Sequence, residues 1–258
     1  MNLIGKSAIV TGATRLQGIG AAVCRELAAE GADIFFTYWP DYDKKMPWKM
    51  RENEPQVLED ELRLLGVRVY SMEIDLSESN SWTKIIDEAV NQLGRADILI
   101  NNASYSSHTD YLTMTEEELD RHYMVNVKAA AMLSLAFARK FDNDRKGGRI
   151  INLTSGQSLG PMPGEIAYAA TKGALEALTL TLSSELASKG ITVNAINPGP
   201  TDTGWMTENL KEKLLPKFPF NRLGTPEDAA KLISFLVSSS GDWITGQVLH
   251  SEGGFKRS

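Results

Sequence analysis

The chain contains one cysteine, Cys24. No internal disulfide can brace the fold, and within Ala-Ala-Val-Cys-Arg-Glu-Leu the thiol reads as a small packed hydrophobe. Histidine is nearly as scarce: His108, His122 and His250 lie far apart without ligand spacing, so no zinc site is expected. Basic residues are outnumbered, 27 Lys and Arg against 33 Asp and Glu for a net charge of −6. The electrostatic footprint of a nucleic-acid binder is missing. Apolar runs long enough to cross a bilayer are also lacking, since 129–138 is broken by Ser134 and bounded by Lys128 and Arg139. The amino-terminal Met-Asn-Leu-Ile-Gly-Lys-Ser-Ala-Ile-Val-Thr-Gly passes from a short apolar run into a glycine, which reads as a first strand and not as a secretory signal. Together these absences lead us to expect a soluble protein of the reducing cytoplasm, with neither membrane nor nucleic acid as partner.

What is present is an ordinary globular mix over 258 residues, 42% hydrophobic and 23% charged, which removes disordered and fibrous classes. Short β-branched runs at 7–11, 33–37, 67–74, 97–101, 149–154, 192–196 and 247–249 alternate with helical periodicity at 19–30, 81–93, 116–141, 167–188 and 226–238. Alternation of this kind predicts an α/β fold with a seven-stranded parallel sheet, because parallel neighbours need crossovers and the crossovers cover both faces. Ile-Ile-Asn, Ile-Leu-Ile-Asn and Ala-Ile-Val-Thr lack polar alternation, as strands buried on both sides should. No repeat or linker divides the chain, so residues 1–258 are expected to form one domain. Thr225-Pro226-Glu227-Asp228 marks one helix start, with a cap, a proline in the first turn and two carboxylates at the positive dipole end. The oddest stretch is 39–56, with three prolines, Trp39, Tyr42 and Trp48, and the basic residues Lys44, Lys45, Lys49 and Arg51. A loop of that length in a compact domain is usually functional or disordered.

After the first strand comes Gly12-Ala13-Thr14-Arg15-Leu16-Gln17-Gly18-Ile19-Gly20, then a helix. Glycines at such a turn let the backbone approach a pyrophosphate, and the helix start offers free N–H groups and a favourable dipole. A tight strand-to-helix connection would look similar. A phosphate loop of the Lys-Ser/Thr type is excluded, because Ile19 follows Gly18.

A second constellation lies downstream. A strand ends at Ser155, and Tyr168 and Lys172 stand four apart near the start of a long helix, on one face. A free phenol has a pKa of about 10, and a neighbouring ammonium would favour the phenolate and bring the group toward working pH. A solvated lysine beside an aromatic is the bland alternative. Ser155 in Leu-Thr-Ser-Gly-Gln does not fit a hydrolase nucleophile elbow.

Taken together, these features resemble the short-chain dehydrogenase/reductase family in its single-domain branch, from Gly5 to Gly254. The resemblance rests on the glycine turn (Gly12, Thr14, Arg15, Gly18, Ile19, Gly20), Asp75-Leu76, Asn101-Asn102-Ala103, Asn126-Val127-Lys128-Ala129, Ser155, Tyr168 with Lys172, Asn197-Pro198-Gly199 and the closing Glu252-Gly253-Gly254. It implies a doubly wound Rossmann fold and a nicotinamide cofactor held by the turn residues, Asp75, Leu76, Asn102, Ala103, Tyr168, Lys172, Pro198, Gly199, Thr201 and Thr203. The implied roles are proton donor for Tyr168, tyrosine activation and ribose contact for Lys172, carbonyl binding for Ser155 and anchorage of a relay water for Asn126. Three departures stand out: five residues instead of three between the first two glycines, Ser104 where the family has glycine, and Glu252 where it has aspartate.

Within the family the segments 149–152, 186–194 and 222–228 are similar to bacterial 3-oxoacyl-[acyl-carrier-protein] reductases, and a homotetramer is implied. Enoyl reductases typically separate the active tyrosine and lysine by six residues, against three here. Arg15 and the lack of an acidic residue at the end of the second strand favour NADP(H). Lys44 or Lys45 would fold over its 2′-phosphate, while Asp41 and Asp43 argue for NAD(H). Carrier-protein reductases resemble one another in two surface arginines; Arg139 matches one, but Ser184 stands at the other, next to Glu185. Weak carrier docking is therefore expected, with a small ketone or coenzyme A thioester as substrate under a covering loop at 200–222, where Trp205, Met206 and Leu210 would line an apolar pocket. The rival readings are a sugar or alcohol dehydrogenase working oxidatively and an idle dinucleotide-binding protein.

Overall fold

The computed structural model describes residues 2–48, 50–142 and 147–257. Its strands are β1 (Ser7–Val10), β2 (Asp33–Tyr38), β3 (Val69–Glu73), β4 (Ile98–Asn101), β5 (Gly148–Leu153), β6 (Ile191–Asn197) and β7 (Val248–His250). They form one parallel sheet in the order β3-β2-β1-β4-β5-β6-β7. The seven strands expected from hydrophobic runs are all present. Every residue of β1, β4, β5 and β6 is buried, which is why β1 and β4 carry no polar alternation; in β6 the alternating Thr192 and Asn194 are buried as well.

Successive side chains on a strand face opposite sides, and two cores result. Ala8, Val10, Ile34, Phe36, Ile98, Ile100 and Ile151 pack with α1 (Ile19–Ala29), α3 (Glu54–Arg63) and α9 (Pro226–Val237). Ile9, Phe35, Leu99 and Ile150, one residue out of phase, pack with α4 (Ser81–Leu93), α6 (Ala130–Lys140) and α7 (Ile166–Glu185). Cys24 is buried in the first of these cores.

The remaining helices are α2 (Pro40–Asp43), α5 (Glu116–His122) and α8 (Glu208–Leu214). The expected single helix over 116–141 is interrupted by a π-helical stretch at Tyr123–Ala129, an irregularity frequent at functional sites and invisible to a periodicity of 3.6. The stretch 39–56 is not a bare loop: α2 and the start of α3 lie within it, each begun by a proline in the first turn. Its three prolines masked this, because they read as breakers although two of them start helices. Lys49 lies outside the described residues. At the α9 start, the Asp228 carboxylate accepts from the Thr225 N–H at 2.9 Å and from Arg222 at 2.6 Å. Among the described residues no helix is long and apolar enough to span a membrane, and no cluster of metal-ligating side chains occurs.

Candidate active site

Order reversal between β1 and β4 opens a crevice at the carboxyl ends of the strands, where ligands of open α/β sheets bind. A cleft of about 990 Å³ occupies this place. The glycine turn forms one wall. Gly12 has φ +74°, and a Cβ there would stand 2.7 Å from the Ala103 Cα. At Gly20 a Cβ would meet the Gly12 carbonyl oxygen at 2.8 Å. Gly18, at the N-cap of α1, carries no side-chain cap, so the helix start presents its N–H groups and positive dipole end to the cleft. This cradle fits a dinucleotide pyrophosphate.

The two extra residues of the turn do not distort it. Leu16 N–H donates to Glu54 Oε2 at 2.6 Å, and Arg25 donates to the Leu16 carbonyl at 2.8 Å. The insertion thus bulges toward α3 and leaves Gly12 and Gly20 facing one another. The other departures are absorbed by hydrogen bonds. Ser104 Oγ donates to Asn126 Oδ1 at 3.1 Å, and Glu252 Oε1 accepts from Asn197 Nδ2 at 2.7 Å while pairing with Arg257.

All the expected cofactor residues except Lys172 line the cleft, together with Ser155 and Tyr168. Lys172 and Asn126 stand behind the wall. The buried Lys172 Nζ donates to the Leu153 carbonyl at 2.7 Å and sits 5.3 Å from the Tyr168 ring centroid. Burial pushes its ammonium down to about 7. Burial, and then the Glu165 carboxylate, push the Tyr168 phenol up to about 12, with the neighbouring Ser155 and Ser104 hydroxyls working the other way. The expected lowering of the tyrosine pKa is therefore not present in this state; the lysine lies against the ring face and is itself poorly charged. Asn126 has its amide fully engaged, with Oδ1 accepting from Tyr105 N–H at 2.7 Å and Nδ2 donating to the Tyr105 carbonyl at 2.9 Å and to Thr171 Oγ1 at 3.0 Å. Its side chain ties the 104–105 segment to α7.

At the adenosine end, Arg15 is already partnered. Its Nε lies 2.9 Å from Asp43 Oδ1, Nη1 donates to the Thr203 carbonyl at 2.6 Å, and the guanidinium stacks 4.6 Å from the Trp48 ring centroid. Trp48 Nε1 donates to the same Asp43 oxygen at 2.9 Å. Lys45 lines the cleft, whereas Lys44 pairs with Asp41 at 3.6 Å. Of the three apolar residues expected at the substrate end only Trp205 reaches the cleft; Met206 is buried behind it.

Among the lining residues that the sequence reading did not assign to the site are Tyr42, Met162, Glu165 and Arg257. Tyr42 Oη donates to the Ser106 carbonyl and accepts from its N–H, both at 3.1 Å, which pins α2 across the cleft mouth. Arg257 reaches back over Gly156 and Gly160. Two of them left a signal: Tyr42 in the aromatic stretch 39–56, and Glu165 three residues before Tyr168.

A family model described as Enoyl-(Acyl carrier protein) reductase matches residues 12–256. The chain is 49% identical to an uncharacterized oxidoreductase, YjdA, of Bacillus subtilis, over 98% of this chain and 97% of that one. It is 34% identical to the 3-oxoacyl-[acyl-carrier-protein] reductase FabG of Staphylococcus epidermidis, over 97% and 99%. A crystal structure of a short chain dehydrogenase from Burkholderia cenocepacia in complex with NADP superposes with a TM-score of 0.88 at 32% identity, covering 98% of this chain and 99% of that one. With that sheet order, that glycine cradle and these relatives along its whole length, the chain belongs to the short-chain dehydrogenase/reductase family of oxidoreductases.

Proposed function

We propose that the protein is an NADP(H)-dependent ketoreductase that converts a carbonyl to a secondary alcohol, with Tyr168 as the proton donor. The observation that carries the reading is the opening of the Tyr168 phenol and the Ser155 hydroxyl onto the same cleft as the glycine cradle. A bound nicotinamide supplies the hydride. Tyr168, neutral at working pH because its pKa lies at about 12, gives its proton to the carbonyl oxygen, which Ser155 holds and stabilises as charge develops. Lys172 behind the ring favours the phenolate left over and reaches the ribose side of the cofactor by turning from the Leu153 carbonyl. Asn126 positions the 104–105 segment of the wall. Arg15 is the residue for a 2′-phosphate, and the likeness to a Burkholderia relative crystallised with NADP supports that cofactor. The reading takes 1–258 as one cytoplasmic catalytic unit, with 200–222 closing over the substrate.

The gap of three residues between Tyr168 and Lys172 separates this site from the enoyl reductases of the family model's description. An oxidative alcohol or sugar dehydrogenase would use the same groups in reverse. An idle binding protein would have no use for Ser155 and Tyr168 together at the end of a dinucleotide cradle.

Tyr168→Phe keeps ring packing and removes the donor. Ketone reduction, followed by loss of reduced-nicotinamide absorbance, should fall about 10²–10⁴-fold while cofactor affinity and melting temperature stay near wild type. Near-normal turnover would remove Tyr168 from the mechanism.

A further inference from the structure

Glu165 stands at the N-cap position of α7, where its side chain makes no capping hydrogen bond, three residues before Tyr168, and it lines the same cleft. Its Oε1 lies 3.6 Å from Nδ1 of the exposed His108, while Oε2 is buried without a hydrogen-bond partner among the described residues. Thr109, which bridges to Glu165 in parallel register, also has a buried hydroxyl without a partner. A buried acceptor lacking a donor is costly. Burial pushes the Glu165 carboxyl above the usual carboxylate range, with His108 and His122 opposing. The other carboxylate at this end, Glu252, is satisfied by Arg257 and Asn197. Glu165 is thus an acceptor in want of a donor, beside the proposed proton donor of the reaction.

We propose that Glu165 is a specificity-determining residue that accepts a hydrogen bond from a hydroxyl on the carbon next to the reacting carbonyl, so that the site takes vicinal hydroxyketones and, in reverse, vicinal diols. The inference rests on the ketoreductase reading above and narrows its substrate class. Side chains one helical turn apart start about 5–6 Å from each other, a span bridged by two hydrogen bonds to oxygens on neighbouring carbons. A 3-oxoacyl thioester offers no hydroxyl there. The carbon next to its reacting carbonyl is a methylene, which leaves the carboxylate without a donor and disfavours that substrate. A site built around a substrate hydroxyl rejects the analogue lacking it, because the protein group is then left unpaired.

The test compares kcat/KM for hydroxyacetone and for butanone, in which a methyl replaces the hydroxyl, in wild type, Glu165→Gln and Glu165→Leu. Wild type should prefer hydroxyacetone by about 10–100-fold, the value of a hydrogen bond to a charged group. The preference should appear mainly in KM, persist in part in Glu165→Gln, whose amide oxygen still accepts, and vanish in Glu165→Leu. An unchanged preference in Glu165→Leu, or none in wild type, overturns the inference. A parallel arm measures dissociation constants of propane-1,2-diol and propan-2-ol by calorimetry on the NADPH-loaded protein, in which an alcohol has no hydride acceptor, so it reports on Glu165 without turnover. Loss of diol selectivity in Glu165→Leu supports the proposal, and equal binding in wild type overturns it. Full ketone turnover by Tyr168→Phe, or no turnover of either ketone by wild type, sinks the ketoreductase reading instead, and the binding arm still decides Glu165. Melting temperatures of both variants report on folding, and Glu165→Gln keeps the shape of the side chain.

Discussion

Lys172 holds its ammonium away from water against the Leu153 carbonyl, and burial brings it down to about 7, whereas a lysine in the unfolded chain titrates near 10.4. Below about pH 7 both states carry the proton, and between the two values only the unfolded chain does. Stability contributed by this group is therefore complete above about 10.4, and it is lost as pH falls through about 7. Tyr168, at about 12, lies outside that window. Lys172→Met, which removes the charge but keeps an unbranched apolar chain, should melt higher than wild type at about pH 6, keep only part of that advantage at about pH 9 and lose it above about pH 10.4. The gain should be on the order of a few kcal/mol. Thermal melts of the cofactor-free protein at both pH values check this, and a difference independent of pH would show that the buried lysine does not titrate. The spacing of Tyr168 and Lys172 was legible, since residues four apart share a helix face. The position of the amine was not, because a four-carbon stem reaches several partners and only packing around Leu153 selects one.

At the scale of elements, the segment from α2 to α3 matters most. Its two ends close on the glycine turn through Glu54 and Trp39, whose N–H donates to Thr14 Oγ1 at 3.2 Å. Within it, Asp43 accepts from both Arg15 and Trp48. A carboxylate in that position competes with any anion for the arginine. The wild-type protein should bind NADPH more tightly than NADH, and Arg15→Ala should cost NADPH about 10–100-fold while sparing NADH. Asp43→Asn, which keeps the shape and removes the competing charge, should tighten NADPH by up to about tenfold and widen its margin over NADH. Calorimetric titration of the three proteins with both cofactors decides. Tighter NADH binding by wild type would assign Asp43 to a ribose hydroxyl and reverse the preference. The aromatic and basic content of 39–56 marked the segment as unusual, but its partners lie far away in sequence, at Thr14, Arg15 and Ser106.

For the whole molecule, the acidic net charge sets how it meets other macromolecules. Arg139 and Ser184 are both exposed, and Lys189, which extends to the Ala138 carbonyl at 2.9 Å, brings a second cation next to Arg139. One basic pair is still a small patch on a chain of charge −6, and rim charges chiefly govern encounter rate. Presentation of one 3-oxoacyl group on an acyl carrier protein should therefore raise kcat/KM only a few-fold over a short thioester mimic, with little dependence on salt. An advantage of about a hundredfold that collapses at moderate ionic strength would show strong docking. Glu185, exposed beside Ser184, opposes an acidic partner as well.

By itself the sequence determined the seven strands, the glycine turn and the order of the candidate catalytic groups. These depend on local patterns: unbroken apolar runs for strands buried on both sides, glycine where no Cβ fits, and a four-residue step along one helix face. Tertiary structure decided the rest. The outward bulge of Leu16, the π-helical seat of Asn126, the Asp43–Arg15–Trp48 cluster and the unpartnered oxygen of Glu165 all arise from groups distant in the chain. Burial then sets the charge state of Lys172 and Tyr168, and burial is a property of the packed whole that no local pattern encodes.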